Sequence, residues 1–152
     1  VGLPLGPVPV TAQTLAVLLL AGALGSRRAA AATLAYIAEG AAGLGVFAGG
    51  GAGLLHLLGP TGGYLVGFVA AALVTGELLQ RGWSRRGGSR LAAMAVGSAV
   101  IYAFGAAWLA GFVGLKAAAV HGVLPFLVGD AVKLVLAAML APAGAKLAAR
   151  LG

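Results

Sequence analysis

Asp130 and Lys133 stand three positions apart inside LPFLVGDAVKLVLAAMLA (124–141), where all other residues are apolar, glycine or proline. On a helix, residues i and i+3 share a face, so the acid and the base can pair with each other. A charge at mid-membrane is expensive, and such residues turn into the protein and serve a ligand, an ion or a proton. Two blander roles compete with that one. The pair could fix helix packing alone, or Lys133 could snorkel to an interface. Lys133 lies about ten residues into the stretch, which weighs against snorkelling.

Other residues that could do chemistry fall in glycine- and proline-rich segments. GPTGGY (59–64) allows a tight turn and ends on Tyr64, which offers a flat apolar face with a hydroxyl. It lacks the Lys-Ser/Thr ending of a phosphate-binding loop. The alternative role for this motif is a helix N-cap at Thr61 beside an interfacial tyrosine. FAGGG, from Phe47, suits a loop folded closely over something. PVPVTAQT (7–14) has the form of an extended lid running into a helix, with Thr11 as cap and Gln13 in the first turn. Gln13 both donates and accepts, which suits an amide-like ligand, and helix capping would use it equally well. Glu77 and Arg81 are spaced i,i+4, as in a surface ion pair. Glu39 lies deeper in an apolar run and acquires no role. His56 and His121 occur in separate loops without a nearby acidic ligand set, which argues against a metal site. The absence of cysteine excludes disulfides, thiolate metal sites and a cysteine nucleophile.

The elements that position these residues follow from composition. Of 152 residues, 61% are hydrophobic and 9% charged, with a mean hydropathy of +1.06. A soluble domain carries about a quarter of its residues charged, so this chain must use lipid as its solvent. Gly 27 of 152 suits membrane helices that approach closely. The net charge of +7 is not gathered into a stripe with interleaved aromatics, so nucleic acid is not the partner. Apolar runs predict five helical spans at roughly 10–25, 29–46, 63–80, 91–113 and 124–148. The first is short for a bilayer core of about 30 Å. Strands are not expected, because period-two alternation is missing.

Eight of the ten basic residues lie in SRR (26–28), RGWSRRGGSR (81–90) and the tail with Lys146 and Arg150. The spans put these three segments on one side, the cytoplasm by the positive-inside rule. PLGPVPVTAQ, FAGGGAGLLHLLGPTGGY and KAAAVHGVLPF then face outward. Trp83 at one border and Trp108 near the other fit an aromatic belt. VGLPLGP reads as the tail of a helix, so an earlier span of about 20 residues is expected before it.

The segments LGPVPVTAQTLAVLLLAGALGSRRAA, GVFAGGGAGLLHLLGPTGGYLVGF and GVLPFLVGDAVKLVLAAMLA resemble the BioY family, the biotin-binding S-components of energy-coupling factor (ECF) transporters. The combination PVPVTxQ, FAGG, GPTGGY and GDxxK, in this order and spacing, carries the resemblance through essentially the whole chain. It implies an all-α integral membrane protein, a bundle of six transmembrane helices with the first largely missing here, in one S-component domain over 1–152. It implies biotin capture from outside as part of an ECF-type ABC transporter in the cell membrane, with no enzymatic activity and no cofactor of its own. The partners implied are a transmembrane coupling subunit and two cytoplasmic ATPase subunits. Docking to the coupling subunit uses the family's first helix, so the resemblance leaves that surface open. It further implies that Asp130 and Lys133 contact biotin and that Tyr64 lines the pocket; Gln13, Thr11, Gly63 and Phe47 complete the expected set. The chemistry agrees: a lysine suits biotin's carboxylate, an aspartate its ureido N–H groups, and apolar walls its bicycle.

Three other functions remain in competition. An intramembrane enzyme would need a second catalytic group near Asp130, and no such pair is recognisable. A stand-alone proton-coupled carrier would cycle a proton on Asp130. An S-component for another vitamin is the last, and the four motifs in combination weigh against it.

Overall fold

The structure, a computed structural model, describes residues 2–3, 10–11, 13–47 and 50–151, with the backbone alone at 2–3, 10–11, 122, 125–126, 128–130, 133 and 137–138. The longest helices answer the five expected spans: α1 (Gln13–Leu24), α2 (Ser26–Ala41), α4 (Gly62–Leu78), α5 (Gly87–Val113) and α7 (Leu124–Leu151). Two short helices, α3 (Leu54–Leu58) and α6 (Leu115–Gly122), lie in the connections. Among the described residues, Gly62–Trp83 and Gly87–Val113 are long and apolar enough to cross a bilayer. The first includes a π turn, Leu79–Trp83, that continues α4.

Several boundaries differ from the sequence expectation, each for a local reason. The second span ends at Ala41 rather than 46, because Gly43 turns the chain at φ 110°. KAAAVHGVLPF, expected as a loop, holds α6: its alanines favour helix once Gly114, at φ 87°, has broken it from α5. A short antiparallel pair also occurs where no strand was expected. In it β1 (Gly2–Leu3) faces β2 (Val10–Thr11), with Gly2 opposite Thr11. Glu39 lies near the end of α2 and is exposed, not deep.

Glycine governs how closely the helices approach. A Cβ on Gly67 of α4 would fall 3.0 Å from the Ile101 Cα of α5. A Cβ on Gly76 would fall 2.4 Å from the Ser26 Cα of α2. In lipid, where apolar burial gives no force between helices, such close backbone packing is a main source of association. The core beneath includes Val17, Leu65, Phe68, Ile101 and Leu109, all buried. The opposite faces carry Leu34, Val66, Leu73, Phe104, Phe112, Val132 and Met139, all exposed. An exposed apolar belt of this extent on several helices fits contact with lipid tails, not water.

The bundle has two distinct ends. At one, Ser26 Oγ donates to Gln80 Oε1 at 2.9 Å, bringing the start of α2 to the end of α4. Gly144 of α7 packs against Ala23 of α1 at the same end. The three basic segments therefore gather together, as the spans required. At the other end lie the start of α1, residues 42–47 and 50–61, and the C-terminal end of α5.

Candidate functional site

The expected residues of the glycine-rich end form a connected chain of contacts. Gln13 opens α1, as expected, and its Nε2 donates to the Tyr36 hydroxyl on α2. Tyr36 in turn donates to the Val46 carbonyl at 3.0 Å, and its ring meets Phe47 edge-on at 5.7 Å and 85°. Phe47 is buried, its backbone bridged to Gly51. It fits only because Gly40 has no side chain: a Cβ there would lie 2.1 Å from the phenyl ring. The Phe47 ring also stacks on His56 at 5.1 Å and 18°. His56 Nε2 reaches the Thr61 hydroxyl at 3.3 Å, one residue before α4 begins.

Thr61 does occupy the N-cap position of α4, but its side chain makes no capping bond. The hydroxyl has gone to His56 instead. From Thr61 the chain runs into Gly62, Gly63 and Tyr64, all buried. A Cβ on Gly63 would fall 2.2 Å from Trp108 Cβ and 2.7 Å from the Phe104 carbonyl, so this glycine seats α4 against α5. Tyr64 lies directly on Gly105, where a Cβ would come within 2.3 Å of its ring. Trp108 closes the arrangement by donating Nε1–H to the Gly59 carbonyl at 2.9 Å.

Asp130 and Lys133 both lie in α7, in helical register three apart. Positions 130, 134 and 141 share one helical face, on which Leu134 is half-buried and Ala141 buried, while Val132, Val135 and Met139 are exposed on the other. The side chains of Asp130, Lys133 and Thr11 lie outside the described residues. Their neighbours Leu127, Ala131 and Leu134 line a cleft of about 620 Å³ with Ser98 and Tyr102 of α5.

The structure thus joins Gln13, Phe47, Gly63 and Tyr64 through intermediates that sequence reasoning passed over. Tyr36, His56 as a link and Trp108 as a donor are those intermediates. A tyrosine near the end of an apolar helix, at the same end as Gln13, was the available signal.

The fold and this end together define an α-helical membrane protein with a connected cluster of polar and aromatic side chains at one end of its bundle. The BioY family model matches residues 1–150, and the chain belongs to that family. A probable biotin transporter BioY of Pyrococcus horikoshii is 40% identical over 141 residues, covering 93% of this chain and 83% of the relative. The biotin transporter BioY of Thermotoga maritima is 41% identical over 146 residues, with the same two coverages, 93% and 83%. That of Rhizobium etli is 42% identical over 142 residues, covering 88% of this chain and 76% of the relative. Among solved structures, the S-component for biotin from an ECF-type ABC transporter superposes with a TM-score of 0.84 at 26% identity, covering 92% of this chain and 78% of the other.

Proposed function

We propose that this protein captures biotin at the glycine-rich end of its bundle and is the substrate-binding subunit of an ECF-type transporter. The observation that carries the reading is the likeness, over 92% of the chain, to an S-component for biotin. The chemistry of the expected residues supports it. Lys133 and Asp130 meet the polar groups of biotin, a lysine suiting the carboxylate and an aspartate a ureido N–H. Tyr64 and Phe47 supply apolar wall, and Thr11 and Gln13 the polar rim. Gly63 contributes by letting Tyr64 sit hard against α5. Empty, Asp130 and Lys133 compensate each other, and bound ligand shares their desolvation cost.

The basic end faces the cytoplasm and the glycine-rich end faces outward. A transmembrane coupling subunit and two ATPase subunits supply the energy. The sequence carries no nucleotide-binding motif of its own.

Calorimetric titration of the detergent-purified protein tests the reading. Biotin binds and thiamine does not. Lys133→Ala lowers biotin affinity by roughly ten- to a hundredfold, the worth of a charge-assisted bond in a dry site. Arg86→Ala, at an exposed position between α4 and α5, leaves it unchanged. Equal small effects from both substitutions would remove Lys133 from the site.

A further inference from the structure

The Tyr36 hydroxyl has no part in the function proposed above, yet three contacts converge on this residue. It donates to the Val46 carbonyl, it receives Gln13 Nε2, and its ring edge meets Phe47. A phenol has one proton. With that proton on Val46, the oxygen can only accept, so the Gln13 group facing it must be the amide's NH2 end. A reversed amide would set two oxygens against each other with no proton between them. The direction of the Gln13 side chain therefore follows from the backbone carbonyl of Val46, through Tyr36. Val46 cannot shift freely, because the next residue, Phe47, is wedged against Gly40 and stacked on His56.

We infer that Tyr36 is a positioning residue that holds the Gln13 amide with its carbonyl oxygen turned away from Tyr36, which makes Gln13 an acceptor for N–H groups of the ligand. The inference rests on the biotin reading above and deepens it. Gln13 then helps select ligands that carry ureido-type N–H donors over those of the same shape without them. A carbonyl oxygen has two lone pairs, so a ligand N–H can join any bond already made there.

The test is calorimetric titration of purified wild type, Gln13→Ala, Tyr36→Phe and the double variant. Each is titrated with biotin and with biotin methylated on both ureido nitrogens, and its melting temperature is recorded. Wild type prefers biotin. Each single variant loses roughly tenfold of that preference, the worth of one hydrogen bond in a dry site. The double variant loses no more than Gln13→Ala, because Tyr36 acts through Gln13. A purely structural tyrosine would lower the melting temperature and leave the preference intact; that result overturns the inference while biotin binding stands. If Tyr36→Phe does not fold, Gln13→Ala decides alone, since it keeps the bond from Tyr36 to Val46, and an unchanged preference again overturns the inference. Wild-type protein that binds no biotin overturns the function itself, and this inference with it.

Discussion

At the glycine-rich end, polar groups reach across the fold: Gln13 to Tyr36 is 23 residues away in sequence, and Trp108 to Gly59 is 49. At the basic end, the one ion pair among the described residues is local. Glu77 and Arg81 sit one turn apart on the same helix, 2.8 Å from each other, with side chains 50% and 72% exposed. The link from Ser26 to Gln80 is the exception there. Long-range contacts fix elements against one another, and a part-buried one such as Gln13 to Tyr36 is costly to leave half-made. Local contacts in water fix nothing but themselves. The glycine-rich end is therefore built to hold a shape, and the basic end to stay solvated.

Glycine substitutions give this contrast its largest test. Gly63→Ala places a methyl group 2.2 Å from Trp108 Cβ and 2.7 Å from a backbone oxygen of α5. Neither neighbour can swing aside, so α4 and α5 must separate, at a cost of roughly 1–3 kcal/mol or more. Gly88→Ala, in the first turn of α5, meets nothing within 4 Å. It should be neutral or stabilise by up to about 1 kcal/mol through helix propensity. Thermal melts of the two variants in the same detergent should move in opposite directions, or the second not at all. A Gly63→Ala protein that melts like wild type would mean that the ends do not differ in packing.

A smaller effect is expected at Trp108, a residue 43% exposed whose N–H holds the Gly59 carbonyl. Trp108→Phe keeps an aromatic ring and removes that donor, so stability should fall by roughly 0.5–1.5 kcal/mol. Limited proteolysis in the segment 50–60 should speed up correspondingly. Unchanged cleavage would mean that α5 does not anchor this segment.

How much of this was legible beforehand depends on the physics of each feature. The long helices were legible because lipid demands continuous apolar runs, and the composition left no other solvent. Asp130 and Lys133 stand out in the sequence because charge in such a run is rare, and the backbone places both in α7. Tyr36 was not legible, because one tyrosine in an apolar helix is equally at home as packing, and its partners come from two other parts of the chain. Gly63 was legible as important but not as a helix contact, since Trp108 and Phe104 lie more than 40 residues further on. A cap at Thr61 was one of two roles the motif allowed, and its position is indeed the N-cap; the stacked His56 that captured its hydroxyl is a tertiary fact. α6 was missed because eight residues, following one glycine and ending on another, carry little periodicity.

The smallest expected effect falls on Glu77, and it is small for a reason that bears on the whole basic end. The pair with Arg81 has good geometry, 2.8 Å from Nε to the carboxylate, and the i,i+4 order with the acid first is the favourable one. Both side chains are nevertheless largely in solvent, where the Coulomb gain is screened and offset by the entropy of holding two long side chains still. Glu77→Gln keeps length and helix propensity and removes the charge. It should change stability by no more than about 0.5 kcal/mol, and less at high salt than at low. Melting curves of both proteins at low and high sodium chloride measure that difference directly. A loss several times larger, or one indifferent to salt, would show that Glu77 is bound into the fold as Gln13 and Tyr36 are. The distinction between a built end and a solvated end would then fail where it is most exposed to test.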